Sequence, residues 1–199
     1  MDQVTSISLF VLAFALCLPL LSQLLSRRPR LLAAAKYFIF AVYVLANLYE
    51  TILFRAVMPQ AVAKWQPLWS YRESLAFDGG PLGALSRLVN GGVRDGLAAA
   101  HVTNWSLLKE IVLNILLYVP LGYLLPFTWP RLGRTRSGRG IPWRVVGIGF
   151  VCSALTEITQ LAFKIGWFEF DDMINNTLGC LLGCVLYLWI RARSKKKSA

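Results

Sequence analysis

Five stretches of the chain are apolar for long enough to cross the hydrocarbon layer of a bilayer, and this constrains the fold before any other feature does. They run roughly over 5–26, 34–57, 107–128, 145–165 and 173–190, each close to the length of about 20 residues that a transmembrane helix needs. Backbone polar groups in lipid must pair within their own segment, so these stretches predict helices. The expected fold is all-α: a polytopic bundle of five transmembrane helices, with residues 1–199 forming a single membrane domain. Composition agrees, since 56% of the residues are hydrophobic and 16% charged. That balance excludes a disordered chain, a disulfide-stapled scaffold and a coiled coil.

The net charge of +11 reads as a topology signal rather than as the footprint of a nucleic acid, and no nucleic-acid partner is expected. Basic residues gather in three connecting segments free of acids: Arg27, Arg28, Arg30 and Lys36; Arg131, Arg134, Arg136, Arg139 and Arg144; and the tail 191–199 with Arg191, Arg193, Lys195, Lys196 and Lys197. With five spans all three fall on one side, which the positive-inside rule makes cytoplasmic, so the N-terminus is expected outside and the C-terminus inside. Charges that follow the first apolar run rather than precede it argue against a cleaved signal peptide. Trp65, Trp69, Trp105 and Trp167 flank the outer ends of spans, and Trp129, Trp143 and Trp189 the inner ends, as an interfacial belt does. Cys17, Cys152, Cys180 and Cys184 show no metal-ligand spacing and read as small packing residues. His101 reads as a solvated or capping residue of the outer loop.

The outer loop 58–106 is too long to be only a connection. It holds an aromatic part, Trp65-Gln66-Pro67-Leu68-Trp69-Ser70-Tyr71, and a glycine-rich part around Asp78–Gly96. Leu82, Leu85, Leu88 and Val89 follow Pro81 at helical spacing, which fits a short interfacial helix; a packed surface loop fits the same residues.

The polar residues inside the spans carry the functional signal, because an ionisable side chain in hydrocarbon is costly unless it is paired or lines a cavity. Glu50 and Arg55 fall near the outer end of the second span, Glu110 and Asn114 near the outer start of the third, Glu157 and Gln160 near the outer end of the fourth, and Asp171, Asp172 and Asn176 at the outer start of the fifth. At a rise of about 1.5 Å per residue, all lie within roughly 12 Å of an outer helix end. Four helices thus offer carboxylates and amides at one level, predicting a polar chamber open to the outer leaflet. Glu157 and Asp172 are its expected centre, each with an amide one helical turn away, Gln160 and Asn176; Lys164 and Glu169 are expected at the rim. Gly179 and Gly183 form a small-xxx-small pair that allows close helix approach, and Pro120 predicts a kink below the polar layer. Interhelical hydrogen bonding alone would account for one or two such residues, but not for five carboxylates at one depth.

Three elements now carry a resemblance. Lys109-Glu110-Ile111-Val112-Leu113-Asn114 running on to Val119-Pro120-Leu121-Gly122, Ser153 through Glu157 to Gln160, and Asp171-Asp172-Met173-Ile174-Asn175-Asn176-Thr177-Leu178-Gly179 resemble, in that order, the signature elements of the VanZ family. The resemblance covers about residues 37–190. Gln66-Pro67-Leu68-Trp69 stands roughly where the family often has an Asn-x-x-Pro-Phe segment, and Ile165-Gly166-Trp167-Phe168-Glu169 stands where it tends to have an Arg before an aromatic-acidic turn. The resemblance implies a small multi-pass protein of the bacterial cytoplasmic membrane, of the type associated with resistance to teicoplanin, a glycopeptide with a fatty acyl chain.

Three mechanisms fit the residues. In the first, Glu50, Arg55, Glu110, Asn114, Glu157, Gln160, Asp171, Asp172 and Asn176 form an outer-leaflet site that binds or excludes a lipid-bearing ligand: the acylated glycopeptide, a lipid-linked cell-wall precursor or a membrane lipid. No cofactor is expected for it. In the second, Glu110, Glu157, Asp171 and Asp172 are catalytic candidates that bind a divalent cation, with Glu157, Asp171 and Asp172 as candidate metal ligands, and act on a lipid-linked phosphate or ester. In the third the protein is an amphiphile transporter or flippase, which would require a polar path through the inner half as well.

Overall fold

The structure is a computed structural model, and it describes residues 24–25, 27–77, 86–87, 89–91, 100–135 and 140–197, with side chains described as far as residue 194. Helix α1, Pro29–Leu48, starts on a proline, whose fixed φ suits a first turn and whose missing N–H has no intrahelical partner to lose. It passes directly into a π-helical turn, Tyr49–Leu53, closed by the Phe54 N–H donating to the Tyr49 carbonyl at 2.8 Å. Strand β1 (Val62–Lys64), helix α2 (Trp69–Ser74), strand β2 (Leu75–Phe77) and strand β3 (Ala100–Val102) follow. Helix α3 spans Trp105–Thr128 and α4 Trp143–Phe163; β4 (Trp167–Glu169) leads straight into α5, Phe170–Lys197. Asn104 starts α3 by accepting the Ser106 and Leu107 N–H groups on its side chain, which satisfies two donors that have no partner inside the helix.

Among the described residues four helices are long and apolar enough to cross a membrane: Pro29–Leu53, Trp105–Thr128, Trp143–Phe163 and Phe170–Ser194. They correspond to the second to fifth expected spans. The first, 5–26, lies outside the described residues except for residues 24 and 25. α5 is longer than expected at both ends, which puts Asp171 and Asp172 in its first turn, where a helix favours negative charge. The fold is mostly helical but not purely so, because β1 pairs in parallel with β4 and β2 antiparallel with β3. Of the segment expected to form an interfacial helix, Ser86, Arg87, Val89, Asn90 and Gly91 are helical, and Pro81, Leu82, Leu85 and Leu88 lie outside the described residues.

The closest packing joins α3 and α5. A β-carbon at Gly179 would lie 2.0 Å from the Ile115 carbonyl oxygen, one at Gly183 1.9 Å from that of Val119, and one at Gly122 1.8 Å from that of Cys180. The two backbones therefore touch, as the small-xxx-small pair predicts. α3 continues as a helix through Pro120 and Pro126, both buried. Toward its far end Tyr118, Tyr123, Leu124, Leu125, Val145, Cys180 and Cys184 form the core, with the Cys180 thiol 3.4 Å from the Val145 carbonyl.

The chain alternates direction, so each end of the bundle has its own chemistry. At one end Trp129 meets Tyr37 and Phe40 edge-on, Lys36 lies 4.5 Å over the Phe127 ring and Arg193 lies 3.8 Å over Trp189. Arg27, Arg28, Arg30, Arg131, Arg134, Arg144 and Arg191 belong to this end by chain position. Every acidic residue among the described residues belongs to the other.

Candidate functional site at the polar end of the bundle

The site begins with a cap that the loop after α1 folds over the helix ends. Lys64 is the register partner of Glu169 in the β1–β4 ladder, and its ammonium lies 4.7 Å over Trp69 and 5.5 Å over Trp167. The Trp65 and Phe168 rings pack against each other, tilted by 37°, with centroids 4.3 Å apart. After Pro67 the chain turns through Leu68 at φ 60°, a left-handed conformation that costs a residue with a β-carbon about 1–3 kcal/mol. The Asp171 carboxylate offsets that strain. It accepts from the Leu68 N–H, from the Ser70 N–H at 2.9 Å and from the Ser70 hydroxyl at 2.6 Å, and hydrogen bonds to an ionised acceptor are the strong ones. One turn on, Asn175 accepts from the Tyr71 hydroxyl. Asp171 is fully buried and works as the anchor of the cap. The loose match at Gln66-Pro67-Leu68-Trp69 is therefore part of the site.

Beneath the cap the four helices interlock through polar side chains. Asn114 donates to Asp172 at 2.6 Å, joining α3 to α5. Asn176 donates to Ser153 at 2.9 Å, joining α5 to α4. Gln160 donates to the Thr51 carbonyl at 2.9 Å, joining α4 to the π-helical turn. Glu157, 2% exposed, accepts from the Glu169 N–H at 2.9 Å.

Two expected pairings differ from this. The amide partner of Asp172 is Asn114 on the facing helix, not Asn176 on its own, and Glu157 is held by a backbone N–H, not by Gln160. Residues one turn apart on a single helix share a face, but across a close crossing the nearer donor is on the neighbour.

The carboxylates are electrostatically coupled. Glu157 feels Asp172, Glu169 and Arg55; Asp172 feels Glu110, Asp171 and Arg55; Glu169 feels Asp172, Glu110, Asp171 and Lys64. Burial first, and then these like charges, push the Glu169 carboxyl up to about 8. Glu169, half-buried, adjoins the site and supplies the N–H that holds Glu157. Lys164 stays at the edge, exposed and left-handed at φ 56°, with its carbonyl accepting the Met58 N–H at 2.7 Å.

Glu50 is 8% exposed and one of its oxygens has no hydrogen-bond partner, nor has the amide oxygen of Asn176, 4% exposed. Arg55 and Glu110 are exposed at the mouth. Sequence reasoning missed Thr51, Lys64, Ser70, Tyr71 and Tyr118. Tyr118, buried, adjoins Thr156, Ser153 and Glu157. Among the described residues no group of three or more His, Cys, Asp or Glu side chains converges to hold a metal ion. Glu157, Asp171 and Asp172 do not form one, because the oxygens of Asp171 turn toward residues 68–70.

Comparison with known proteins follows the same residues. A family model described as VanZ/LLP1 matches residues 40–191, which takes in the cap, α3, α4, most of α5 and the part of the first membrane-length helix from residue 40 on. A curated relative, Protein VanZ of Enterococcus faecium, is 30% identical over 79 residues, which are 40% of this chain and 44% of that protein. The match thus spans less than half of that relative's length. No solved structure matches.

Proposed function

Since the chain belongs to the VanZ/LLP1 family and is a VanZ-like membrane protein, we propose that it lies in the bacterial cytoplasmic membrane with its polar end outward and protects the cell against teicoplanin. In this reading it acts by binding a lipid-bearing ligand at the outer leaflet, or by excluding one from it. The observation that carries the reading is the one-ended site: carboxylates and amides from four helices meet under a cap at one end, while the other end holds cations and, among the described residues, no acid. A lipid-anchored antibiotic and its cell-wall target both work at the outer leaflet, where the positive-inside rule puts the acidic end.

Two features favour binding over the other mechanisms. A transporter needs polar groups through the whole bundle, whereas the half beyond Tyr118 is packed with Tyr123, Leu124, Leu125, Val145, Cys180 and Cys184. A metal-assisted enzyme needs converging ligands, and the anchoring role of Asp171 withdraws one of the three candidates. The site binds through shape and charge and requires no bond to be broken.

The test is susceptibility to teicoplanin and to vancomycin in a sensitive host expressing the wild type, Glu157→Gln, Asp172→Asn or an empty vector, with membrane levels matched by immunoblot. Selective protection against teicoplanin by the wild type, lost in either neutral isostere, is the expected result. Equal susceptibility of wild type and empty vector would overturn the reading.

A further inference from the structure

A groove runs down the flank of the bundle between α1 and α4, outside the capped cluster. Its volume is about 310 Å³; Asn47 and Ile52 stand on one wall, Leu155 and Thr159 on the other, with Tyr118 and Leu121 of α3 buried behind them. From Tyr43 to Ile52 it extends about 13 Å at the helical rise. Leu48 and Leu155, which also line it, are 41% and 59% exposed, so the groove opens sideways toward lipid. Such a slot fits an acyl chain. The surrounding hydrocarbon is as apolar as the slot, however, so burying a chain there selects no lipid over another. Selection falls to the residues at the head of the groove.

Two cations stand there, one beyond each wall. The segment 51–58 is tied to the end of α4 at both of its own ends, by the Gln160 amide donating to the Thr51 carbonyl at 2.9 Å and by the Met58 N–H donating to the Lys164 carbonyl at 2.7 Å. Between those ties Arg55 follows the lining residue Ile52 by three positions, and on the facing wall Lys164 follows the lining residue Thr159 by five. Both cations are exposed, and among the described residues neither side chain makes a hydrogen bond or an ion pair. Arg55 does feel Glu157 and Asp172, but those carboxylates already accept from the Glu169 N–H and the Asn114 amide. The sequence neighbours of the cations, Phe54, Val57 and Phe163, are 54%, 75% and 69% exposed. Exposed apolar side chains beside long cationic ones suit the headgroup level of a bilayer, where stems and rings meet hydrocarbon and the charges reach phosphate. A guanidinium takes two phosphate oxygens at once, and an ammonium adds a point charge.

We propose that this flank is a phospholipid site, with one acyl chain in the α1–α4 groove and the phosphate between Arg55 and Lys164. Two cations serve one phosphate there, so the preferred headgroup carries net negative charge. The site lies outside the capped cluster of carboxylates and amides, which takes the proposal beyond the resistance reading and leaves it standing whatever that cluster binds.

The experiment uses the full-length protein in phosphatidylcholine vesicles doped with a photoactivatable phospholipid that carries a diazirine in mid-chain and either a phosphoglycerol or a phosphocholine headgroup. Cross-links are mapped to single residues by mass spectrometry. Adducts of the phosphoglycerol lipid on the groove residues Asn47, Leu155 and Thr159 are expected to exceed those on Leu45, Val151 and Ile158, which are exposed outside the groove. The phosphoglycerol lipid should label the groove about twentyfold more than the phosphocholine lipid, from about fivefold for each basic residue acting on an anionic headgroup. Arg55→Gln and Lys164→Gln should each reduce that preference about fivefold, and the double variant should bring the two lipids close to parity. Arg131→Gln, with the same change of charge at the other end of the bundle, should keep the wild-type preference.

Equal labelling of the groove by the two headgroups overturns the proposal, and so does groove labelling no stronger than that of Leu45, Val151 and Ile158, the result expected if a second copy or the segment 5–26 covers the groove. Both are read on the wild type, whatever the variants do. A preference that survives in the double variant would remove Arg55 and Lys164 from the site and overturn it. A preference lost equally in Arg131→Gln would reduce the effect to net charge and overturn it as well.

Discussion

Asp171 sits in the acidic site yet spends its carboxylate on the backbone of a segment about a hundred residues earlier in the chain. Neutralising it should therefore loosen the cap before it alters the bundle. In Asp171→Asn all three donors lose a charged acceptor and at least one loses its acceptor altogether, because one oxygen becomes an NH2 group; a hydrogen bond to a charged group contributes about 1.5–3 kcal/mol. Faster amide hydrogen exchange is expected over 62–74 with α3 and α5 unchanged; unaltered exchange there would show that the cap holds without the carboxylate. Glu169 makes a second prediction. Its carboxyl titrates near 8 in the fold against about 4.3 for a free Glu, so between those values the folded state binds the extra proton and stability falls as pH rises. The melting temperature of the wild type should drop more between pH 5 and pH 8 than that of Glu169→Gln, as read by thermal unfolding in detergent. The acids themselves were legible from the sequence, since charge in a span is conspicuous. Their partners were not: Asp171 to Ser70 and Asn114 to Asp172 are contacts between segments that only the fold brings together, and Tyr118 in an apolar run looks like core until Ser153 and Thr156 lie beside it.

At the scale of elements the α3–α5 crossing makes the strongest demand on sequence. Gly179→Ala and Gly183→Ala would each drive a methyl into a carbonyl oxygen at about 2 Å, and neither backbone can yield without separating the helices. Overpacking of this kind costs about 1–3 kcal/mol or more, so both variants should unfold at distinctly lower temperature or denaturant. Gly147→Ala on α4 is the control, because nothing lies within 4 Å of the added methyl; its stability should match the wild type or exceed it by up to about 1 kcal/mol. An equal loss in all three would mean that helix flexibility, not contact, sets the requirement. This crossing could be read from the four-residue spacing of the glycines. The π-helical turn at Tyr49–Leu53 could not, because its sequence also fits an α-helix, and it takes the Gln160 amide on Thr51 to hold the turn against α4. The three-residue ladders were equally hidden. Val62–Lys64 and Trp167–Glu169 are too short to show a strand period, and they pair only because both enter the same cap.

The molecule as a whole is polarised: all of the described acids belong to the capped end, and Arg27, Arg28, Arg30, Arg131, Arg134, Arg144, Arg191 and Arg193 to the other. That separation was legible because positive charge marks the cytoplasmic ends of spans and four alternating helices must place their loops on opposite sides. The outer-leaflet reading depends on which way this polarity faces, and one labelling experiment decides it. Gln66 lies exposed in the cap and Arg131 exposed just past the far end of α3. In intact cells Gln66→Cys should react with a membrane-impermeant maleimide, while Arg131→Cys should react only after the membrane is opened, each measured above the background of the native cysteines. Of those, Cys180 and Cys184 are buried in the core and should contribute little. The opposite pattern would put the acidic site at the cytoplasmic leaflet, where it could not meet an antibiotic arriving from outside, and the proposed role in resistance would fall.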